Sequence, residues 1–294
     1  MISLTVFTPA YNRAHTLGRT YESLCRQTCK GFKWLVIDDG STDNTRELVE
    51  QWMLRDNGFE IKYVWKENGG LHTGYNKAIE MADTELIVCV DSDDFMPDDA
   101  VELIINTWRD KKEDGVAGII GLDFLLDGKP IGDYFPKIEK CHRYELTYKF
   151  NHREDCKEVC RLSLLKEVYP QPTFVNEKNF NPSYMFKQID LKYEWIVLNE
   201  NLCFVDYQKD GMANAIYKQY LNSPNSFAAQ RINNLKMPIP FSCKFKQYVH
   251  LASSSIISRN LSWLTKSPTP FWAIICLPLG ALLTMYIKYK ASKR

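Results

Sequence analysis

The sequence predicts an α/β fold with a mainly parallel, doubly wound sheet and helices on both faces. In residues 1–125, short apolar stretches alternate with stretches whose apolar residues recur every three or four positions. The connections between them are short, and such alternation favours parallel strands joined by helices. The composition, 45% hydrophobic and 25% charged, is that of a globular protein and excludes a disordered chain.

Five stretches are predicted to be strands. Each is short and apolar, and the second is a continuous apolar run, as expected of a strand that is covered on both faces. The predicted strands are Ser3–Thr8, Phe32–Asp38, Phe59–Trp65, Glu85–Val90 and Gly118–Asp123.

Four stretches between these strands are predicted to be helices. Leu17, Tyr21 and Leu24 share one face of the first helix. The fourth begins with Pro97, a residue type that is favoured in the first turn. The predicted helices are Ala14–Gln27, Asn44–Leu54, Gly70–Met81 and Pro97–Trp108.

Residues 126–210 have a mixed pattern. Gln171–Tyr184 is rich in Pro and Asn and predicts a loop, whereas Leu191–Leu202 fits either a helix or a strand. We expect residues 1–125 and 126–215 to form two halves of one domain, with residues 216–294 as a separate C-terminal region.

The C-terminal region differs from the rest in charge. All 36 acidic residues lie at or before Asp210, so residues 1–210 have a net charge of −10, and eleven basic residues follow. Residues 271–287 carry no charge but contain Pro278 and Gly280. A membrane-spanning helix needs about 20 apolar residues, and this stretch is shorter. We therefore expect it to associate with an anionic membrane surface, with a full span or a buried core helix as alternatives.

The nine cysteines are odd in number and scattered along the chain. No secretory signal precedes them, because Ile2 to Thr8 reads as a strand and lacks a basic start and a cleavage site. Both observations predict reduced thiols and a cytoplasmic protein.

Polar residues stand where the first four predicted strands end. In open α/β sheets, ligands bind beyond the carboxyl ends of the strands, so these residues are the candidates for a site. They are Thr8-Pro9-Ala10-Tyr11-Asn12, Asp38-Asp39-Gly40-Ser41, Lys66-Glu67-Asn68-Gly69-Gly70 and Asp91-Ser92-Asp93-Asp94.

Asp91 and Asp93 are two positions apart at the end of a strand, where such side chains point the same way. Two converging carboxylates suit a hard divalent cation such as Mg²⁺, although acidic residues also cap helices. An Asp at a strand end, such as Asp38 or Asp39, can bind a ribose hydroxyl or simply form a turn. Tyr11 offers a ring on which a nucleobase can stack, or it is a packed core residue.

These motifs, together with Asn76-Lys77-Ala78, follow one another within the first 95 residues. In this order they closely resemble the family 2 glycosyltransferases, which use nucleotide-diphospho-sugars and have the GT-A fold. Glu67-Asn68-Gly69-Gly70-Leu71-His72-Thr73 is similar to the subgroup that builds bacterial surface polysaccharides. The resemblance is strong over residues 1 to 125 and continues weakly through Asp210-Gly211-Met212-Ala213-Asn214.

The resemblance implies an inverting transfer of one sugar from a nucleotide-diphospho-sugar, by default a UDP-sugar, with Mg²⁺ or Mn²⁺. The acceptor would be a hydroxyl of a glycan or a polyprenyl-linked sugar at the inner face of the cell membrane. Residues 1–125 would bind the donor and residues 126–215 the acceptor. The QxxRW signature of processive synthases is missing, which favours one sugar per binding event.

The resemblance also assigns roles to individual residues. Tyr11 and Asp39 would hold the nucleobase, Asp91 would contact the ribose or sugar, and Asp93 would ligate the metal. The implied metal ligands are Asp93 and Asp91, and the implied donor-binding residues are Thr8, Pro9, Tyr11, Asp38, Asp39, Lys66, Asn68, Gly69, Gly70, Asn76, Asp91 and Ser92.

The catalytic base is where the sequence departs from the family. Ser183 stands where many relatives have a carboxylate. Glu177 is the nearest acidic residue in that loop and is the predicted base, with Asp190 as the second candidate and a solvated loop charge as the alternative for Glu177. A non-catalytic, membrane-associated protein that retains the donor-binding fold is the rival function. A dehydrogenase is excluded because no G-x-G-x-x-G follows the first strand, and no nucleic-acid partner is expected.

Overall fold

The computed structural model of the chain describes residues 3–206 and 216–293. These residues form two compact units. Unit 1 contains the described residues in 3–68, 74–170 and 189–206, and unit 2 contains those in 69–73, 171–188 and 216–293. Asp210–Asn214, where the sequence resemblance is weak, lie outside the described residues. The expected boundaries at residues 125 and 215 stay a prediction.

Unit 1 is built on one mixed, mainly parallel sheet of eight strands. The strands are β1 Leu4–Ala10, β2 Phe32–Asp38, β3 Glu60–Trp65, β4 Leu86–Cys89, β5 Val116–Leu125, β6 Lys140–Cys141, β7 Cys156–Arg161 and β8 Glu194–Val205. Their order in the sheet is β3-β2-β1-β4-β7-β5-β8-β6. The predicted α/β class is confirmed, and all five predicted strands are present within a few residues of their expected bounds.

The mixed character of the sheet comes mainly from β7. This strand runs antiparallel to both of its neighbours, β4 and β5, and the sequence pattern does not indicate it. The other irregular stretch, Leu191–Leu202, is resolved in favour of a strand, because it forms most of β8.

The helices before residue 190 include all four that the sequence predicts. They are α1 Leu17–Arg26, α2 Thr45–Met53, α3 Leu71–Met81, α4 Ala100–Lys111, α5 Arg143–Tyr148, α6 Leu162–Val168 and α7 Ser183–Asp190. The first residues of α3 and most of α7 belong to unit 2.

The core of unit 1 includes a stack of aromatic rings behind β1 and β2. The rings of Tyr21 and Trp52 are parallel with centroids 4.2 Å apart, and Trp34 lies beside both. The Trp34 indole N–H donates to the Thr8 hydroxyl, with 3.0 Å between the heavy atoms. This bond ties the end of β1 to the buried face of β2 and so fixes the edge where the candidate residues stand.

The part of unit 2 that follows residue 215 is helical. Its helices are α8 Ile216–Asn222, α9 Pro224–Lys236, α10 Phe241–Ile257, α11 Ser262–Thr265, α12 Pro270–Ile275 and α13 Leu277–Ser292. A second hydrophobic core is formed by buried residues of α9, α10, α11 and α12 together with Phe180. All nine cysteines of the chain are free thiols.

The charge-free stretch 271–287 lies in α12 and α13. Among the described residues, no helix has the length and hydropathy needed to cross a membrane. One face of α13 packs on α10, where the hydroxyl oxygens of Ser253 and Thr284 are 2.9 Å apart. The buried-helix alternative therefore describes one face of this stretch, and the opposite face is exposed.

Gly280 sets how closely α13 approaches α10. A Cβ at this position would lie 2.5 Å from the Ala252 Cβ and 2.9 Å from the Ser253 backbone nitrogen. Neither atom belongs to a flexible side chain, so the helices would have to separate. A small residue at this contact is therefore a packing requirement, although the same glycine in the sequence looked like an interruption of a membrane segment.

We predict that Gly280→Ala lowers the thermal unfolding midpoint although Ala is the better helix former. The matched control is Gly18→Ala in α1, where an added Cβ would meet nothing within 4 Å. In that helix Ala should be neutral or stabilising by up to about 1 kcal/mol. Differential scanning calorimetry of both variants checks the prediction, and a midpoint for Gly280→Ala at or above the parent's would contradict the close packing.

Candidate functional site

The carboxyl ends of three neighbouring strands form the candidate site in unit 1. β1 lies between β2 and β4 and is parallel to both. The residues that follow these strands therefore share one edge of the sheet. The edge brings together Tyr11 after β1, Asp38 and Asp39 at β2, and the turn Asp91–Asp94 after β4.

Asp38 is buried at the end of β2 and holds the local structure. Its carboxylate accepts hydrogen bonds from the Tyr63 hydroxyl and from the Ser41 backbone N–H, the latter at 2.7 Å. Burial and the neighbouring Asp38 carboxylate raise the pKa of Tyr63, so its hydroxyl stays a donor. Tyr63 was not among the predicted residues. Its position in β3 opposite Val36 of β2 places it on the strand beside Asp38.

Asp39 has a different environment. Its carboxylate forms an ion pair with the Lys66 ammonium group. Its backbone is also fixed, because its N–H donates to the Ala10 carbonyl oxygen and its carbonyl oxygen accepts from the Asn68 side-chain amide, both at 2.8 Å. The structure thus brings Asp39, Lys66 and Asn68 together.

The residues after β1 differ in exposure. The Tyr11 side chain is 50% exposed, which excludes the core position considered for it and leaves its ring open to a ligand. Thr8 is fully buried and its hydroxyl is bonded to Trp34, so its side chain does not line an open pocket. Pro9 is half-buried beside Thr8, and Asn76 is half-buried in α3.

Asp91 to Asp94 form a turn rather than the last residues of β4. The Asp94 backbone N–H donates to the Asp91 carbonyl oxygen at 3.0 Å. Asp91 is exposed and Asp93 half-buried, whereas Ser92 and Asp94 are buried. Asp91 and Asp93, whose carboxylates were predicted to act together, therefore occupy the more exposed positions of the turn, whereas the side chains of Ser92 and Asp94 face the protein.

The electrostatics of this turn fit a bound cation. Burial, and then the charge of Asp91, raise the pKa of Asp93. Burial raises the pKa of Asp94 to about 7, although the Lys157 charge opposes this. Within the described residues, no group of three or more His, Cys, Asp and Glu is arranged to hold a metal. Two carboxylates with phosphate oxygens as further ligands are a typical donor set for Mg²⁺, so Asp91 and Asp93 fit that ion.

Gly69 and Gly70 belong to unit 2. Gly70 has a φ of +90°, and a Cβ on it would lie 1.9 Å from the Lys178 carbonyl oxygen. A glycine is thus required at position 70 by contact with the protein's own backbone. The resemblance suggested that these glycines allow the chain to approach the donor.

Glu177 anchors a helix. The residue is 7% exposed, and its carboxylate accepts four hydrogen bonds of 2.7–2.9 Å from the backbone N–H groups and side chains of Asn225 and Ser226. These residues open α9, where unpaired N–H groups and the helix dipole favour a negative charge. The alternative of a solvated loop charge is wrong for this side chain. The role of Glu177 as base stays a prediction, and its four hydrogen bonds favour a structural role.

Asp190 is also engaged in local structure. The residue is 2% exposed, and its carboxylate accepts hydrogen bonds from the backbone N–H groups of Arg143 and Tyr144 at the start of α5, and from the Trp195 indole at 3.1 Å. Burial raises the pKa of Asp190, and these hydrogen bonds oppose the shift. Its position indicates a cap for α5 rather than a base at the sheet edge.

Ser183, the residue in place of the expected carboxylate, is the first residue of α7. Its hydroxyl accepts from the Gln230 side-chain amide at 3.2 Å. It therefore packs against α9 within unit 2.

Two charged residues that the sequence pattern did not single out lie beneath the acidic turn. Lys157 on β7 and Asp123 on β5 are buried, with 3.5 Å between the ammonium nitrogen and a carboxylate oxygen. Burial alone would lower the pKa of Lys157, but Asp123 and the carboxylates of Asp94 and Asp91 hold it well above its ordinary value. The sequence signal was a Lys inside a short stretch of otherwise strand-like character, Cys156–Arg161.

Comparison with known proteins identifies the family. A family model described as "Glycosyl transferase family 2" matches residues 5–159, more than half of the chain. Glycosyltransferase GlyG of Streptococcus pneumoniae serotype 4 is 27% identical over 216 residues, which cover 68% of this chain and 69% of GlyG. Several other curated relatives are longer proteins, of which the chain spans well under two thirds.

Solved structures share the fold at low sequence identity. TarS 1–349 of S. aureus, in complex with UDP-GlcNAc, is 17% identical with a TM-score of 0.64, and the match covers 90% of this chain and 79% of that one. The mannosyltransferase PcManGT of Pyrobaculum calidifontis, in complex with GDP-Man and Mn²⁺, is 17% identical with a TM-score of 0.58, covering 98% and 83%. Both likenesses agree with the predicted GT-A fold.

We predict that Glu177→Gln lowers the free energy of unfolding by about 1–3 kcal/mol, the usual consequence of leaving a buried hydrogen-bonding group without its partner. The amide that replaces the carboxylate cannot accept four hydrogen bonds at the α9 N-terminus. Urea unfolding followed by circular dichroism measures the change, with Glu200→Gln at an exposed position as the control. Unchanged stability, combined with a 10²–10⁴-fold loss of turnover, would instead support the base role.

Proposed function

The chain belongs to glycosyl transferase family 2, and from this premise we propose that it transfers one hexosyl group from a nucleotide-diphospho-sugar to an acceptor hydroxyl with inversion. The observation that carries the proposal is the shared sheet edge in unit 1. An exposed aromatic ring, an Asp–Lys pair and a pair of carboxylates stand there together, which is the chemistry needed for a base, a ribose and a diphosphate.

We propose that the donor is a UDP-sugar. The open face of Tyr11 can stack on a nucleobase, and Asp39 with Lys66 offers an acceptor and donors to the base edge. The UDP-GlcNAc complex of TarS supports this choice of nucleotide. Asn68 and Asn76 would add hydrogen bonds, with Pro9 as pocket wall, while the buried residues Thr8, Asp38 and Ser92 would act from behind the site.

The metal would be Mg²⁺ or Mn²⁺, held by Asp93 and Asp91. When bound, such an ion supplies positive charge to the diphosphate that leaves the sugar. The chain's part is to present both carboxylates on one turn, where burial and the charge of Asp91 raise the pKa of Asp93. The Mn²⁺ complex of PcManGT supports a divalent ion in this role.

A second candidate function is a non-catalytic protein that keeps donor binding. Ser183 at the position of the expected carboxylate favours it, as do the structural contacts of Glu177 and Asp190. In the inverting mechanism, one carboxylate must accept the proton of the acceptor hydroxyl. Donor binding without turnover is therefore the result that distinguishes the second function from the first.

We predict that the parent binds UDP together with Mn²⁺ and that Asp93→Asn loses this joint binding. A hundredfold excess of ligand over Kd stabilises a protein by about 2.7 kcal/mol, so a thermal shift assay with UDP and UDP-sugars detects it. Asp98→Asn is the control, since Asp98 lies on the same connection but forms an exposed ion pair with Arg26. If UDP with Mn²⁺ raises the thermal midpoint of both variants equally, Asp93 is not a metal ligand. Sugar release or transfer by the parent separates the enzyme from the binding protein.

We propose that the acceptor is a glycan or a polyprenyl-linked sugar used in surface polysaccharide synthesis, and that the protein works at the inner face of the cell membrane. The resemblance of the Glu67–Thr73 segment supports the first statement. The second is supported by a surface that we call the outer face of α12 and α13. It consists of Phe271, Ile274, Ile275, Leu279, Leu282, Met285, Tyr286 and Tyr289, each of which is 44–64% exposed.

The charges around the outer face favour an anionic lipid surface. Lys290 lies over the Tyr286 ring and Lys293 over the Tyr289 ring, with the ammonium nitrogens 5.6 and 4.5 Å from the ring centroids. Residues 211–294 contain no acidic side chain. A second copy of this chain would oppose basic residues to basic residues, whereas anionic headgroups would neutralise them. Exposed apolar patches of this extent mark interaction sites.

We predict that the double substitution Leu282→Glu with Met285→Glu releases the protein from vesicles of phosphatidylcholine and phosphatidylglycerol. Burying each large apolar side chain contributes about 1.5–3 kcal/mol, so the partition coefficient should fall by about tenfold or more. Leu54→Glu is the control, because Leu54 is 89% exposed in unit 1 and lies outside this face.

Vesicle co-sedimentation measures the change, and circular dichroism confirms that the variants are folded. Substitution is preferable to truncation, since Ala273, Cys276 and Ile287 of the same segment are buried. If the double variant sediments with vesicles as the parent does, the outer face of α12 and α13 is not the membrane-binding surface.

A further inference from the structure

The acidic turn and the residues after it, which we call the 91–97 loop, are held by one face of α1 and the residue that follows it. Four side chains at positions 19, 20, 23 and 27 bond to the loop backbone, and this spacing places them on one side of the helix. The contacts are Arg19 to the Asp93 carbonyl oxygen, Thr20 to the Asp94 carbonyl oxygen at 2.7 Å, the Met96 N–H to Ser23 at 3.2 Å, and Gln27 to the Pro97 carbonyl oxygen at 2.6 Å.

Arg19 differs from the other three because it also reaches the end of β8. One terminal nitrogen of its guanidinium donates to the Asp93 carbonyl oxygen. The other donates to a carboxylate oxygen of Asp206 at 2.9 Å. The Asp206 backbone N–H in turn donates to the Asp94 carboxylate at 3.2 Å. The guanidinium thus links α1, the acidic turn and β8.

An aromatic pair closes the same connection. Phe95 and Phe204 exchange backbone hydrogen bonds of 2.8 and 3.2 Å, and their rings stack with centroids 5.0 Å apart. The Arg19 guanidinium carbon lies 5.4 Å from the centroid of the Phe95 ring. A planar group that donates in two directions while covering a ring is a property of Arg that Lys does not share.

We infer that Arg19 is a positioning residue for the carboxylates of Asp91 and Asp93. The inference rests on the metal-binding role proposed above for these two residues. By fixing the Asp93 carbonyl oxygen, Arg19 sets the direction in which the Asp93 side chain leaves the backbone. Through Asp206 and Asp94 it also holds the far side of the turn, and so it limits how far the two carboxylates can move relative to each other.

A merely structural ion pair would behave differently. The side chains of Arg19 and Asp206 are 36% and 32% exposed, and an ion pair with this much solvent access contributes little to stability. Loss of Arg19 should therefore change the thermal midpoint only slightly. Its effect should appear instead in the affinity for the divalent ion, because groups that orient metal ligands change metal affinity about 10- to 100-fold.

The test is a direct titration of the full chain with Mn²⁺ at saturating UDP, in which electron paramagnetic resonance measures the free ion. The variants are Arg19→Gln, Arg19→Lys and Arg26→Gln. Arg26 is the matched control, because it lies on the same helix and pairs with Asp98 just after the loop, in an exposed contact of 3.0 Å.

The expected result is a 10- to 100-fold weaker Mn²⁺ affinity for Arg19→Gln, an intermediate value for Arg19→Lys and the parental value for Arg26→Gln, with closely similar thermal midpoints. A parent that binds Mn²⁺ and an Arg19→Gln variant that binds it equally well would overturn the inference alone. A variant that loses affinity only in proportion to a large loss of stability would also overturn it. A parent that does not bind Mn²⁺ with UDP would overturn the metal assignment and the inference together.

Discussion

The position of β1 between two parallel neighbours is the constraint on which the rest of the site depends. Leu4 is in register with Phe32 of β2 and with Leu86 of β4, so all three strands run in the same direction and end at one edge. Residues that are far apart in sequence, such as Tyr11, Asp38 and Asp91, are therefore brought to one edge. The register is held from below by large buried residues, of which Trp34 is bonded to the end of β1.

The same constraint concentrates negative charge, and the protein compensates for it with buried or bridging cations. Lys66 pairs with Asp39, Lys157 lies beneath the acidic turn beside Asp123, and Arg19 reaches the turn from α1. A buried ion pair of this kind is weak evidence for stability, because desolvation opposes the attraction. Under this turn its more direct effect is electrostatic, because burial raises the pKa of Asp94 and Asp123 and the charge of Lys157 opposes that rise.

The sequence pattern predicted those strands and helices that are determined by neighbouring residues in the chain. The bounds of β2 were predicted to the residue, because its mainly apolar run begins directly after Gly31 and is followed by the turn-forming residues Asp39 and Gly40. β7 was missed, since its sequence alternates Cys, charged residues and Val, and its partners are β4 and β5. Glu177 is predicted as the base because it is the nearest acidic residue in its loop, and its structural contacts are not visible locally, since Asn225 and Ser226 are 48 and 49 residues away. The stretch 271–287 was ambiguous for a related reason: both faces are apolar, so composition could not indicate which one is buried.

Residues 177 and 178 connect the Gly69–Gly70 turn to the start of α9 within unit 2. The backbone of Lys178 touches the turn at Gly70 so closely that no side chain fits between them. The neighbouring Glu177 is bonded to the first turn of α9. A displacement of the Gly69–Gly70 turn would therefore require Lys178 to move as well, and with it Glu177, whose side chain is bonded to α9. A shift of this turn would therefore require a coupled shift at the start of α9, a thirteen-residue helix that contributes to the second hydrophobic core.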